Sequence, residues 1–257
     1  MKKRFLQGLW RPLLFIKKWP RVLLVFIIGA LAGCTTMAVQ EEALGALQSG
    51  SQVRVKQERF WVFEPVLPHQ SPGLVIYPGA KVDPRSYAPV ARGLADRGYL
   101  VAIVPVALSF AIFSPNRADW VRKAYPDVPY WVVAGHSLGG VAAAQYAQSH
   151  KDRVKGIVFW ASYPASDISS SGIPVVSISA SLDGLATPEK IEKYKKNQPP
   201  ETEYVVIQGG NHAQFGWYGS QKGDKKATIS AEEQTQKIID ITAGFLQKLE
   251  QTLRVQN

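Results

Sequence analysis

The feature that most restricts the fold is a series of short, almost unbroken apolar runs set between helical stretches. Residues 74–77, 100–106, 130–134, 157–160, 175–179 and 204–207 each carry four to seven residues with hardly a polar side chain. A strand of that kind has no face to show to water, so it is expected in a sheet covered on both sides. The intervening segments read as helices: 85–97, ended by Gly98; 115–125; and 138–149, rich in small residues. Thr187-Pro188 supplies a cap residue and a proline at the first helical position of a further helix. Ser230-Ala231-Glu232-Glu233 is a capping box that opens a last helix, with Ile238, Ile241, Phe245 and Leu249 spaced along one face. Residues 53–64 read as one or two opening strands, before the turn marked by Pro65, Pro68 and Pro72. Buried strands alternating with helices predict an α/β fold with a mostly parallel central sheet. Such sheets carry their chemistry in the loops at the carboxyl ends of the strands.

Those loops hold a consistent set of residues. After the run 130–134 comes Gly135-His136-Ser137-Leu138-Gly139-Gly140, a G-x-S-x-G at a strand-to-helix junction. This is the context of a nucleophile elbow, in which a tight turn presents the serine hydroxyl above the sheet. Asp183 follows the strand at 175–179, and His212 follows the strand at 204–207. A serine hydroxyl is a weak nucleophile at neutral pH and needs a base. The histidine in turn needs a carboxylate to fix its tautomer and stabilise its charged form. Ser137, His212 and Asp183 are therefore the expected nucleophile, base and acid. Asp167, which also follows a strand, is the alternative acid.

His136 lies inside the elbow and is expected to shape the pocket, His150 ends a helix, and His69 sits in a proline-rich turn. An oxyanion hole is expected from two backbone N–H groups. One is that of Leu138. The other lies in Pro78-Gly79-Ala80-Lys81, with Ala80 preferred and Gly79 the alternate. Trp160, Tyr163, Phe215, Trp217 and Tyr218, with Phe110, Ile112 and Phe113, are expected near these loops, where they would make an apolar acyl or aryl site. The cluster Lys222, Lys225 and Lys226 reads as a solvated surface. Only 45 residues separate Ser137 from Asp183, which leaves room for a small lid or none.

Three segments carry a resemblance. YPGAKVDPRSYAPVARGLADRGY, the GHSLGG elbow and GGNHAQFGWYGSQKGD together resemble the α/β-hydrolase superfamily, and within it the compact bacterial α/β-hydrolase family 5. The likeness covers about residues 70–250. It implies the α/β-hydrolase fold and a Ser-His-Asp hydrolase related to esterases and dienelactone hydrolases. The latter use cysteine as nucleophile, so Ser137 points away from that specific activity. The resemblance implies no cofactor and supplies no substrate. A small-molecule ester is the expected substrate. A thioesterase or amidase with the same residues, and a non-catalytic scaffold of the same fold, are the alternatives.

Charge and hydropathy locate the rest. The chain of 257 residues carries a net charge of +10, but seven of its 30 basic residues lie in positions 1–33, which hold no acid. The remainder has 23 basic against 20 acidic residues, not the basic stripe that nucleic-acid binding requires. One cysteine excludes a disulfide framework and a multi-cysteine zinc site, and four histidines without H-E-x-x-H spacing argue against a metalloenzyme. Residues 22–40 are uncharged behind the basic segment, which is the pattern of a secretory signal. The run contains Leu31-Ala32-Gly33-Cys34, which resembles a lipoprotein lipobox with Cys34 as the acylated residue. An uncleaved membrane-spanning helix is the alternative. Either way the expected domain is extracytoplasmic and membrane-anchored. The expected organisation is a signal or anchor at 1–33, a tether and linker at 34–51, the α/β-hydrolase domain at 52–250 and a tail at 251–257.

Overall fold

A computed structural model describes residues 36–67 and 70–255. The signal or anchor segment, Cys34 and His69 lie outside the described residues. Eight strands form one sheet: β1 (Val53–Gln57), β2 (Trp61–Pro65), β3 (Gln70–Tyr77), β4 (Tyr99–Ile103), β5 (Trp131–His136), β6 (Val154–Trp160), β7 (Val175–Ala180) and β8 (Glu203–Ile207). Their order is β1-β2-β4-β3-β5-β6-β7-β8. β1 pairs antiparallel with β2, and β2 antiparallel with β4; every other neighbour is parallel.

The sheet is covered on both faces, as the apolar runs require. Successive residues alternate between two cores. Leu74, Ile76, Val132, Ala134, Val158 and Trp160 point to one side, where α2 (Ala88–Ala95) and α6 (Ala231–Val255) pack. Val75, Tyr77, Trp131, Val133, Ile157 and Phe159 point to the other, against α3 (Ala118–Ala124) and α4 (Leu138–Ser149). The short α5 (Pro188–Tyr194) is capped by the Thr187 hydroxyl, which accepts the Lys190 N–H. The Ser230 hydroxyl likewise accepts the Glu233 N–H at the start of α6.

Both ends of the domain differ from expectation. Residues 34–51, read as a tether and linker, contain the helical turn α1 (Glu41–Leu44). Ala43 is fully buried, and Met37, Ala46 and Leu47 pack on the core. The Met37 N–H donates to Lys81 O at 2.6 Å, the Asp83 N–H to Met37 O at 3.0 Å, and the Gln40 N–H to Trp217 O at 2.8 Å. The segment is thus bound like an added strand, and residues 36–51 belong to the same compact unit as the rest of the domain. At the other end α6 runs through the expected tail to Val255. On its face Ile239, Thr242 and Leu246 join Ile238, Phe245 and Leu249 in burial, while Ile241 is only partly covered. Among the described residues no helix is long and apolar enough to cross a membrane.

Candidate active site

Ser137 is the single residue between β5 and α4, with φ 52° and ψ −123°. A non-glycine residue in that region is disfavoured by about 1–3 kcal/mol and persists only where its surroundings fix it. Here they do. The Ser137 N–H donates to Trp160 O at 3.0 Å, and its own carbonyl accepts the Ser162 hydroxyl at 2.6 Å and the Gly140 N–H at 3.1 Å. The flanking glycines are required by close approach. A Cβ on Gly135 would stand 2.3 Å from the backbone of Gly139, and one on Gly139 would stand 2.3 Å from Tyr77 O. The Leu138 N–H is the first of α4 and has no acceptor within the helix, so it points out with the positive end of the dipole.

The loops after β7 and β8 bring Asp183 and His212 together. His212 Nδ1 lies 2.8 Å from Asp183 Oδ2, and both side chains are buried, 1% and 0% exposed. Asp183 Oδ1 accepts the N–H groups of Leu185 and Ala186, each at 2.7 Å. Those two bonds leave Oδ2 to receive the Nδ1 proton of His212, and Nε2 is then the nitrogen available to a reactant. Ser137, Leu138 and His212 line one cavity of about 230 Å³, together with Val141, Ala161, Ser162, Tyr163, Leu185 and Ala186. Asp167 is not brought to this cavity. Its exposed carboxylate caps a turn by accepting the Ser169 N–H at 2.8 Å, and that hydrogen bonding holds it below the usual carboxylate range. His150 stacks on Tyr146 at the end of α4, its Nδ1 3.0 Å from Tyr146 O.

The loop after β3 separates the two candidate oxyanion donors. The Gly79 N–H is taken by the Tyr87 hydroxyl at 2.9 Å. No protein acceptor stands against the Ala80 N–H among the described residues. Because Tyr87 Oη accepts from Gly79, it donates its own proton to His136 Nδ1, 2.8 Å away. His136 therefore carries its proton on Nε2. It stacks on Phe215, with its ring centroid 4.5 Å from that of His212. Burial, and then the neighbouring His212, push the His136 pKa well below 6.5.

A histidine kept neutral in the folded state takes up its proton more readily when unfolded. Stability from His136 is thus complete above pH 6.5 and declines as pH falls below it, by up to about 1.4 kcal/mol per pH unit. Thermal melts between pH 7 and about pH 5 are expected to show a falling Tm. The His136→Asn variant is expected to show a shallower slope. Parallel slopes in parent and variant would refute the neutral assignment.

One residue that ties the site together was not foreseen. Asp224 accepts the N–H groups of Gly184 at 2.9 Å and His212 at 3.3 Å through Oδ1, and that of Ala213 at 2.9 Å through Oδ2. It thus joins the loop of Asp183 to the loop of His212. Its only sequence signal is its place at the end of Gly219-Ser220-Gln221-Lys222-Gly223-Asp224. Bonds to a charged acceptor contribute about 1.5–3 kcal/mol, and a stranded donor costs about as much. Asp224→Asn presents one oxygen where two are used. It is expected to lower Tm by about 4–8 °C, the shift that about 2 kcal/mol gives in a domain of this size. It is also expected to reduce kcat more than KM is raised. An unchanged Tm would remove Asp224 from this role.

Most of the aromatic residues expected around the pocket are elsewhere. Only Tyr163 lines the cavity. Trp160 is buried against Tyr87, and its indole N–H reaches the Thr242 hydroxyl. Phe215 and Tyr218 back His136, and Trp217 bonds to Thr235. Phe110, Ile112 and Phe113 are not among the cavity's lining, and Phe113 is 61% exposed.

Comparison with known proteins agrees with this architecture. The family-5 model described as "Alpha/beta hydrolase family" matches residues 73–236. Among solved structures, a predicted CIB-like hydrolase from Thermoplasma acidophilum is similar at 14% identity and TM-score 0.54, over 75% of this chain and 99% of that one. The carboxylesterase CesB (YbfK) from Bacillus subtilis is similar at 11% identity and TM-score 0.51, over 79% and 95%. TT1662 from Thermus thermophilus is similar at 15% identity and TM-score 0.55, over 78% and 99%. No curated protein sequence matches. At these identities the structures speak for the fold alone. The family model covers more than half of the sequence, including the segments that hold Ser137, Asp183 and His212, and on that ground the chain belongs to the alpha/beta hydrolase family.

Proposed function

We propose that this protein is a membrane-tethered, extracytoplasmic serine hydrolase of carboxylic esters. The observation that carries the reading is the buried His212–Asp183 pair at 2.8 Å, opening on the same cavity as Ser137 in its strained turn. In the reaction Ser137 Oγ attacks the ester carbonyl carbon while His212 Nε2 takes the hydroxyl proton. The carbonyl oxygen becomes an oxyanion that accepts from the Leu138 and Ala80 N–H groups. The intermediate collapses as His212 returns the proton to the leaving alcohol, which departs and leaves an acyl group on Ser137. Water then repeats the sequence, delivering a proton to His212, and releases the carboxylic acid. Each oxyanion donor is worth about 10²–10³ in rate.

Asp183 holds the His212 tautomer and balances the positive charge that forms on its ring in both half-reactions. The family match over residues 73–236 supports the hydrolase reading. The uncharged run at 22–40 behind seven basic residues, and Cys34 within it, support the tether. A fluorophosphonate probe is expected to label the parent at Ser137 and to leave the Ser137→Ala variant unlabelled. Failure to label a folded parent would favour a non-catalytic scaffold. Intact mass of membrane-extracted protein tests the tether. A chain starting at Cys34 with added acyl mass is the lipoprotein outcome, and a full-length chain with free Cys34 is the spanning-helix outcome.

A further inference from the structure

One loop at the active-site end exposes apolar side chains that the hydrolytic reading does not use. Between β4 and α3, Leu108 is 73% exposed, Phe113 61% and Ile112 38%. Isolated exposed apolar residues are ordinary, but three within six residues on one loop form a patch. At the first of them the backbone is strained. Leu108 and Ser109 are consecutive non-glycine residues with φ 53° and 59°, in the left-handed region. The loop is fixed to the site through the Lys81 N–H, which donates to Ser109 O at 2.8 Å one residue beyond Ala80.

The extended segment at residues 36–40 reaches the same loop. The Thr36 and Ser109 hydroxyls are hydrogen-bonded at 3.0 Å, and the chain continues from Thr36 along Val82. Cys34, at the end of the apolar run, is two residues before Thr36. Two residues span at most about 7 Å. Any anchor at or just before Cys34 therefore keeps Thr36, and with it the bonded Ser109 and the neighbouring Val82 segment, close to the membrane surface.

We propose that the loop at residues 107–113 docks into the bilayer that tethers the chain, with Leu108, Ile112 and Phe113 in the lipid and the mouth of the Ser137 cavity at the interface. This rests on the membrane tether proposed above. It implies that the substrates are esters that partition into the membrane rather than freely soluble ones.

The test uses the full chain reconstituted in phosphatidylethanolamine–phosphatidylglycerol vesicles. An environment-sensitive fluorophore replaces Phe113 or, as a control, Leu67, an exposed residue just after β2 at the opposite, amino-terminal end of the parallel strands. The Phe113 probe is expected to be quenched at least about twofold by nitroxide-labelled lipid and shielded from aqueous iodide, and the Leu67 probe the reverse. The double variant Leu108→Asp with Phe113→Asp is expected to stay on the vesicles and to hydrolyse a soluble ester at the parental rate. It should lose at least about tenfold on an ester embedded in the vesicle.

Iodide quenching of the Phe113 probe in a vesicle-bound chain overturns the docking and leaves the tether standing. A Phe113 probe reached by neither quencher means that protein covers the loop, which also overturns it. A chain that washes off the vesicles overturns tether and docking together, while hydrolysis of the soluble ester still reports on Ser137.

Discussion

Ser137→Ala is expected to lower the hydrolysis of short nitrophenyl esters by at least about 10⁴-fold, with an unchanged circular dichroism spectrum and a Tm within a few degrees of the parent. The size of the loss follows from the site. Without Oγ no acyl-enzyme forms, and what remains is substrate binding plus the Leu138 and Ala80 donors acting on direct attack by water. The fold should be indifferent to the change, because the bonds that hold the turn come from the Ser137 backbone rather than its side chain. Its N–H meets Trp160 O, and its carbonyl meets the Ser162 hydroxyl. Alanine accepts the same bonds and bears the same strained φ as serine. Residual activity within a few-fold of the parent would show that the nucleophile lies elsewhere.

The parts of the fold that could be read from the sequence are those whose burial has a period. The parallel strands are covered on both faces, so each is written as an apolar run, and α4 was bounded at Leu138 and Ser149 by its small residues. Strand ends were less legible because backbone pairing outlasts the apolar pattern. β5 continues to His136 through pairing with Phe159 and Trp160, although the side chains have already turned glycine-rich and polar. The extended segment at residues 36–40, with its single bridge from Met37 to Val82, and the turn after it left almost no signature. They are attached mainly through main-chain hydrogen bonds, and any sequence can make those. Asp224 was missed for a related reason: it binds backbone N–H groups, so no partner residue type marks it. The aromatics were misplaced because a position just after a strand can turn either into the core, as Phe215 does, or into the cavity, as Tyr163 does. Proximity in sequence does not choose between them.

The choice of acid is where geometry adds most to the sequence, and it yields the second large effect. Asp183→Asn is expected to reduce kcat by about 10⁴-fold, and Asp167→Asn by no more than a few-fold. What decides the effect is which side of the new amide faces His212. Asp183 Oδ1 accepts two N–H groups, from Leu185 and Ala186, so the asparagine must keep its oxygen there. Its NH₂ then faces His212 Nδ1, which has to accept instead of donate. The imidazole proton is forced onto Nε2, the nitrogen that must be bare to receive the proton of Ser137. The variant therefore keeps its volume, its burial and most of its hydrogen bonds, yet holds the base in the wrong tautomer. Asp167 has no such leverage. Its carboxylate caps an exposed turn at Ser169, and an asparagine can accept the same N–H. Steady-state rates of the two variants on one nitrophenyl ester decide the matter: a larger loss at Asp167 than at Asp183 would overturn the assignment, and with it the link between the buried pair and the reaction.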